Sequence, residues 1–265
     1  MRKFPDTFNL IIEQLKSNER STPTLKELLS IYFETLAKIE DDNLQKKLLR
    51  ELIERYVTLE KKVDILLKNT LPETIAEEIK YKGRFLPRPY RCTILFTDFV
   101  RFTKLVEQIQ KEVLIDLLDI IFKGFDDLVP NLGGTKIKTM GDAYMAVFGA
   151  PIQYEDHAVM AVKAGLALQN FLSSFNKENK QSFQMRVGIH TGEIMGGVVG
   201  KERMQFDVFG DDVNIASRLE SSGMAGEVNV SHTTYSLAKG YFEFIERGSL
   251  KNKADMKAYF VVKSI

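Results

Sequence analysis

From Tyr90 to the end of the chain, the sequence predicts a layered domain of mixed helix and strand, and before it an all-helical extension. Three observations carry this. Short apolar runs of strand length alternate with long amphipathic stretches after Tyr90, which favours helices layered on a sheet over a sandwich. The pair Gly141-Asp142 separates two such runs and predicts a hairpin. The segment ahead of Gly83 contains no glycine and is rich in Leu, Ile, Glu and Lys, residues that favour helix.

Residues 1–40 read as a helical segment of unknown role. Ser21-Thr22-Pro23 breaks it and Thr24-Leu25-Lys26-Glu27 starts a new helix. From Leu49 the apolar positions Leu49, Leu52, Tyr56, Leu59, Val63 and Leu66 step by three and four, an a/d seam. Arg50, Glu51, Glu54, Arg55, Glu60, Lys61 and Lys62 fill the other faces. The seam fits either a parallel two-stranded coiled coil or an amphipathic helix packed on its own domain. A further helix follows Leu71-Pro72 and stops before Gly83, and Leu86-Pro87-Arg88-Pro89 reads as an extended linker. Residues 41–90 therefore group as signalling helix and connector, and residues 91–265 as the main domain. Strands are expected there at 91–97, 134–140, 143–149, 183–192, 204–209, 227–231, 241–247 and 257–263. Helices are expected at 103–129, 155–176, 211–222 and 232–238.

Bulk properties exclude several classes. With 265 residues the chain can hold one substantial domain and an appendage. A net charge of +1 leaves no basic field for nucleic acid. Cys92 is the only cysteine, so no disulfide framework forms, and His157, His190 and His232 are scattered without zinc spacing. No run reaches the ~18–20 apolar residues that span a bilayer. Met1-Arg2-Lys3-Phe4-Pro5 lacks a signal-peptide core. The expected location is cytoplasmic, with membrane tethering only if a longer native protein carries a sensor or membrane domain upstream.

Two carboxylates stand out. Asp98 ends the apolar run Cys92–Thr97, and Asp142 sits at the Gly-Asp turn after Gly134–Met140. Such a pair suits divalent metals that also hold phosphates, since Mg²⁺ prefers one or two carboxylates plus phosphate oxygens and water. Equally, Asp98 could cap the following helix and Asp142 could merely fill a turn. Lys136 and Lys138 are expected on one strand face by period-two alternation. Lys138 is either solvent-facing or bound to a partner. Asp207, between Phe206 and Val208, also needs a partner. Asn214 and Arg218 lie four apart on the helix after Gly210, with Val213, Ala216 and Leu219 as its packing side. An amide one turn before a guanidinium can read ribose and phosphate, or form a plain polar face.

In combination, Ile94-Leu95-Phe96-Thr97-Asp98, Lys138-Thr139-Met140-Gly141-Asp142, and Phe206-Asp207-Val208-Phe209-Gly210 leading into Val213-Asn214-Ile215-Ala216-Ser217-Arg218 resemble the class III nucleotidyl cyclases, most closely the adenylate cyclases. Asn69 to Gly83 resembles the helical transducer segment that precedes such domains. The resemblance implies an α+β fold with a ferredoxin-like βαββαβ core. It implies conversion of ATP to cyclic AMP and pyrophosphate by a head-to-tail homodimer with shared sites. Asp98 and Asp142, with the Phe99 backbone carbonyl, would hold two Mg²⁺ or Mn²⁺ ions. Lys138 and Asp207 would select the base, Asn214 would orient the ribose, and Arg218 and Lys251 would engage phosphates. Phe99, Phe102 and Thr103 would line the substrate loop. Guanylate cyclases carry a different base-reading pair, so the expected substrate is ATP. The chain departs from the family at Arg101, where glycine is usual, and at Asn252 and Ala254, which often are glycine.

Overall fold

The structure is a computed structural model describing residues 41–102, 106–107, 109–200, 204–250 and 253–265. The expectations for residues 1–40, Thr103, Lys251 and Asn252 lie outside the described residues. The chain divides into two compact units at Ile65–Leu66.

Helix α1 (Asp42–Lys68) runs across that division and buries none of its residues. Asp41 starts it, its carboxylate accepting from the amides of Asn43 and Leu44 at 2.9 and 3.2 Å. Leu49, Tyr56, Leu59 and Val63 of the seam are exposed. In the second unit, α2 (Glu73–Lys82) follows Pro72 as expected. It ends at Gly83, whose left-handed φ of 73° lets its N–H return to the Ile79 carbonyl. Leu71, Ile75, Ala76 and Phe85 join the core under the sheet, so this segment belongs to the same unit as the main domain.

Eight strands form one sheet: β1 (Arg88–Phe99), β2 (Gly134–Met140), β3 (Ala143–Phe148), β4 (Met185–Val199), β5 (Gln205–Phe209), β6 (Val228–Ser231), β7 (Phe242–Leu250) and β8 (Lys253–Ser264). Helices α3 (Lys111–Asn131), α4 (His157–Asn179), α5 (Asp211–Ser221) and α6 (His232–Ala238) complete it. The spatial order is β2-β3-β1-β4-β6-β8-β7, with β5 paired to β4. Neighbours among the first four strands pair antiparallel, and these strands alternate with α3 and α4 as β1-α3-β2-β3-α4-β4, the ferredoxin-like βαββαβ arrangement the resemblance implied.

Period-two alternation divides the apolar side chains between two layers. Leu95, Phe99, Tyr144 and Phe148 meet Phe125, Ile121, Leu168 and Leu172 of α3 and α4. Cys92, Ile94, Met145 and Val147 meet Ile75 of α2, Phe206 and Val208 of β5 and Ala216 of α5. Burial on both faces explains why β1 and β3 read as unbroken apolar runs. Cys92 is fully buried, and burial pushes its thiol up to about 12, so it is an inert core residue.

Four features differ from the sequence expectation. The helix expected over 103–129 is interrupted at Ile109–Gln110, and α3 begins only at Lys111. Strand β1 starts within the supposed linker, at Arg88. Strand β4 runs on to Val199 because Gly192, Gly196 and Gly197, which weaken the strand signal, continue the ladder to β1 and β5. Lys136 and Lys138 do not share a face, because the register to β3 shifts between them. Lys136 turns to Asp126 of α3 at 2.6 Å and lies over the Tyr144 ring, whereas Lys138 turns to β5. One further point concerns α4: by length and composition it is apolar enough to cross a membrane, but half of that window is buried in the fold.

Candidate active site

Asp98 and Asp142 are brought together. Asp98 occupies the end of β1 opposite Arg186 of β4, and Asp142 the turn between β2 and β3. Gly141 supplies the positive φ of 64° that this turn needs. Burial and the neighbouring charge of Asp98 hold the Asp142 carboxyl above its ordinary value, although the Phe99 and Asp142 backbone amides donate to it and act the other way. Only the backbone of Phe99 reaches this site. Its ring is buried, 5.5 Å from Phe183 and stacked with Phe102.

A cation and a third carboxylate complete the group. Arg186 Nη2 donates to Asp98 Oδ2 at 2.7 Å, and its Nε donates to Glu220 Oε1 at 2.8 Å. Burial works against the Arg186 charge, but the Glu220 and Asp98 carboxylates outweigh it and hold the guanidinium above its ordinary value. Glu220 is pushed up by burial; Arg186 opposes that shift, and the charges of Asp98 and Asp142 add to it. Sequence reasoning missed both residues. The signal was present in Met185-Arg186-Val187, a charge inside an apolar strand, the same cue that singled out Asp207. Among the described residues, no group of three or more His, Cys, Asp or Glu is arranged to hold a metal by itself.

Lys138 and Asp207 form the second cluster. Nζ donates to Oδ2 at 2.5 Å across β2 and β5, both side chains are mostly shielded, and Asp207 Oδ1 also accepts the Val208 amide at 2.9 Å. Lys138 is thus bound, not solvent-facing. Asn214 and Arg218 lie exposed on one side of α5, while Ile215, Ala216, Leu219 and Glu220 face the sheet. Val213, expected on that packing side, is half-buried. Among the described residues, no hydrogen bond or ion pair joins the Lys138–Asp207 cluster to the Asp98–Asp142 cluster. Phe102 is half-buried against the core beside Phe99. Arg101, where the family carries glycine, adopts a left-handed φ of 59°.

This sheet order, the paired carboxylates at the end of β1 and the β2–β3 turn, and the polar face of α5 define a nucleotidyl cyclase domain. The chain belongs to that family: residues 87–263 match the adenylate and guanylate cyclase catalytic domain. It is 34% identical over 250 residues to the guanylate cyclase soluble subunit beta-2 of Rattus norvegicus, covering 91% of this chain and 37% of that protein. It is 35% identical over 203 residues to an adenylate cyclase of Mycobacterium tuberculosis, covering 75% of this chain and 46% of that one. The chain thus spans less than half the length of these curated relatives. Among solved structures it is similar to the adenylyl cyclase CyaB from P. aeruginosa, with TM-score 0.65 and 32% identity over 68% of this chain and 98% of that one. It is also similar to the guanylate cyclase domain of RhGC from Catenaria anguillulae in complex with GTP, with TM-score 0.64 and 30% identity over 67% of this chain and all of that one.

Proposed function

We propose that the chain is an adenylate cyclase that converts ATP to 3′,5′-cyclic AMP and pyrophosphate at sites shared between two copies. The bonded Lys138–Asp207 pair carries the choice of base. An ammonium only donates and an ionised carboxylate only accepts. Adenine offers an acceptor at N1 and a donor at its 6-amino group, which this pair complements. Guanine reverses both, with a donor at N1 and an acceptor at O6. Because the two side chains already touch, they can address adjacent atoms of one base edge. Relatives of both specificities lie at similar identity, so the argument for ATP rests on these two residues.

The residues around Asp98 and Asp142 fit divalent metal binding. Two carboxylates are turned toward each other, with Asp142 raised by burial and by the charge of Asp98, which favours a cation between them and substrate phosphates. Asp98, Asp142 and the Phe99 carbonyl would hold Mg²⁺ or Mn²⁺. When bound, two such ions neutralise phosphate charge and lower the pKa of the ribose 3′-hydroxyl. Arg186 keeps positive charge beside the carboxylates where the triphosphate would lie. Asn214 orients the ribose. Arg218 meets the α-phosphoryl oxygens as the 3′-oxygen, its proton passing to water or to the substrate, attacks phosphorus and pyrophosphate departs. Lys251 would add a phosphate contact.

Sites shared between two copies are what membership of the class III cyclases, which act as dimers, implies for this chain. Met195 and Val199 of β4, together with Met204 and with Phe209 of β5, expose apolar side chains, a surface suited to a second copy. The uncovered seam of α1 suits a parallel pair of the same helices, which would pass an upstream signal to the domains. The buried single cysteine is consistent with a reducing cytoplasm.

Incubation of the purified chain with ATP and Mn²⁺, with products resolved by chromatography, tests this reading. Equal amounts of cyclic AMP and pyrophosphate are expected, and none from Asp98→Ala. A folded dimer that yields no cyclic nucleotide would refute it.

A further inference from the structure

Helix α5 carries Asn214 and Arg218, and its first turn is anchored in a way its sequence does not announce. Gly210 precedes it and no side chain caps it. Asp212, placed where a carboxylate commonly serves its own helix amides, turns to β4 instead. Its Oδ2 accepts the Glu193 amide at 2.7 Å, and its Oδ1 meets His190 Nε2 at 2.9 Å. His190 Nδ1 meets the Ser231 hydroxyl at 2.8 Å. From there hydrogen bonds run to Thr234 at 3.1 Å, Thr191 at 3.0 Å, Thr93 at 2.8 Å and His157 Nδ1 at 2.7 Å. His190, Ser231, Thr234, Thr191, Thr93 and His157 are all buried, whereas Asp212 and Glu193 lie at the network's outer end. Buried polar groups are costly unless partnered, and a chain in which each member is partnered holds one geometry.

Two glycines explain how close the helix lies. A Cβ on Gly192 would sit 2.2 Å from the Asp212 carboxylate carbon, and one on Gly188 would sit 2.1 Å from the Glu220 amide nitrogen. Both point to one side of β4, being four apart on a strand. The helix is therefore seated on β4 at both ends, by Asp212 on His190 and by Glu220 on Arg186.

We propose that Asp212 and His190 are positioning residues that set the pitch of α5 and thereby the aim of Asn214 and Arg218. This rests on the cyclase reading for its effect on rate, though not for its effect on the helix. Asn214 lies six residues from Glu220, about 9 Å along the axis at ~1.5 Å per residue. With the Asp212 anchor gone, a tilt of about 5° about Glu220 carries Asn214 about 0.8 Å, on the scale at which misplacement costs ~10²-fold in rate.

The experiment uses Asp212→Ala and Asp212→Asn in the full chain. Asp212→Ala is expected to lower kcat by roughly 10–100-fold while KM for ATP stays within about threefold. Asp212→Asn retains an acceptor for the Glu193 amide and an amide to face His190, and is expected to restore most of the rate. In an Asn214→Ala background the Asp212→Ala effect is expected to shrink, since both act on one step. Amide hydrogen exchange of residues 213–217 is expected to quicken in Asp212→Ala. An unchanged kcat, additive effects in the cycle, or failure of the asparagine substitution to rescue would overturn the positioning role. Unchanged exchange would overturn the anchor itself, and is readable whether or not the wild type makes cyclic nucleotide. Wild type without activity would overturn the cyclase reading alone.

Discussion

Replacing Asp142 with asparagine separates what the site costs the fold from what it does. The substitution keeps shape and an acceptor for the Phe99 amide but removes one of two facing negative charges. Two like charges ~4 Å apart repel by about 1–4 kcal/mol at effective dielectric constants of ~80 to ~20. Arg186 at 2.7 Å already offsets part of the Asp98 charge, which places the value near the lower end. About 1 kcal/mol raises Tm by ~2–4 °C in a domain of this size. The metal-free Asp142→Asn variant is therefore expected to melt higher than wild type. The difference has a defined sign with pH. The Asp142 carboxyl is raised in the folded state, so its contribution to stability is full below the ordinary carboxylate range and is lost as pH rises through the folded value. The advantage of the variant should thus grow from acid toward neutral pH. Mn²⁺ at ~100 times its Kd should stabilise wild type by about 2.7 kcal/mol, roughly 5–10 °C, and the variant far less. Calorimetric melts with and without Mn²⁺, at acid and neutral pH, measure all of this. A metal-free variant that melts lower than wild type, or gains as much from Mn²⁺, would refute the reasoning.

Three further outcomes are expected. Gly188→Ala forces a Cβ against the Glu220 backbone, so urea unfolding should show a loss of about 3 kcal/mol and the rate should fall with it. Arg101→Gly relieves a left-handed φ of 59°, and thermal melts should show a gain of roughly 0.5–1 kcal/mol. Asp98→Ala and Lys138→Ala should each be nearly inactive alone, and their verified heterodimer should recover part of the activity because one site gathers both lesions. Continued inactivity of that heterodimer would contradict shared sites.

The hairpin at Gly141-Asp142, the stop at Gly83 and the alternation of strands with helices were legible because turn chemistry and apolar period are local signals, whereas the ferredoxin-like core came only from the family resemblance. Lys138 and Asp207 were legible as charges inside apolar strands that needed partners, although only the fold shows that they partner each other. The bulge that sends Lys136 to Asp126 is not written in the strand pattern, since a single shifted residue leaves composition unchanged. The extension of β4 was hidden by glycines whose reason is the close approach of α5 and of Tyr90, a tertiary matter. Arg186 lies 34 residues from its partner Glu220, and His190 lies 22 from its partner Asp212. Each has an ordinary local reading, and only the sheet order assembles them.

The base-reading claim is tested most directly by kcat/KM for ATP and for GTP, on wild type and on the double variant Lys138→Glu with Asp207→Asn. Two hydrogen bonds that match one base and oppose the other, at ~1–3 kcal/mol each, correspond to a preference of roughly 30-fold to 10⁴-fold. The expected result is that wild type prefers ATP within that range, and that the double variant loses or inverts the preference. Equal efficiency with both nucleotides, or a preference of the wild type for GTP, would contradict the assignment of Lys138 and Asp207 as readers of adenine.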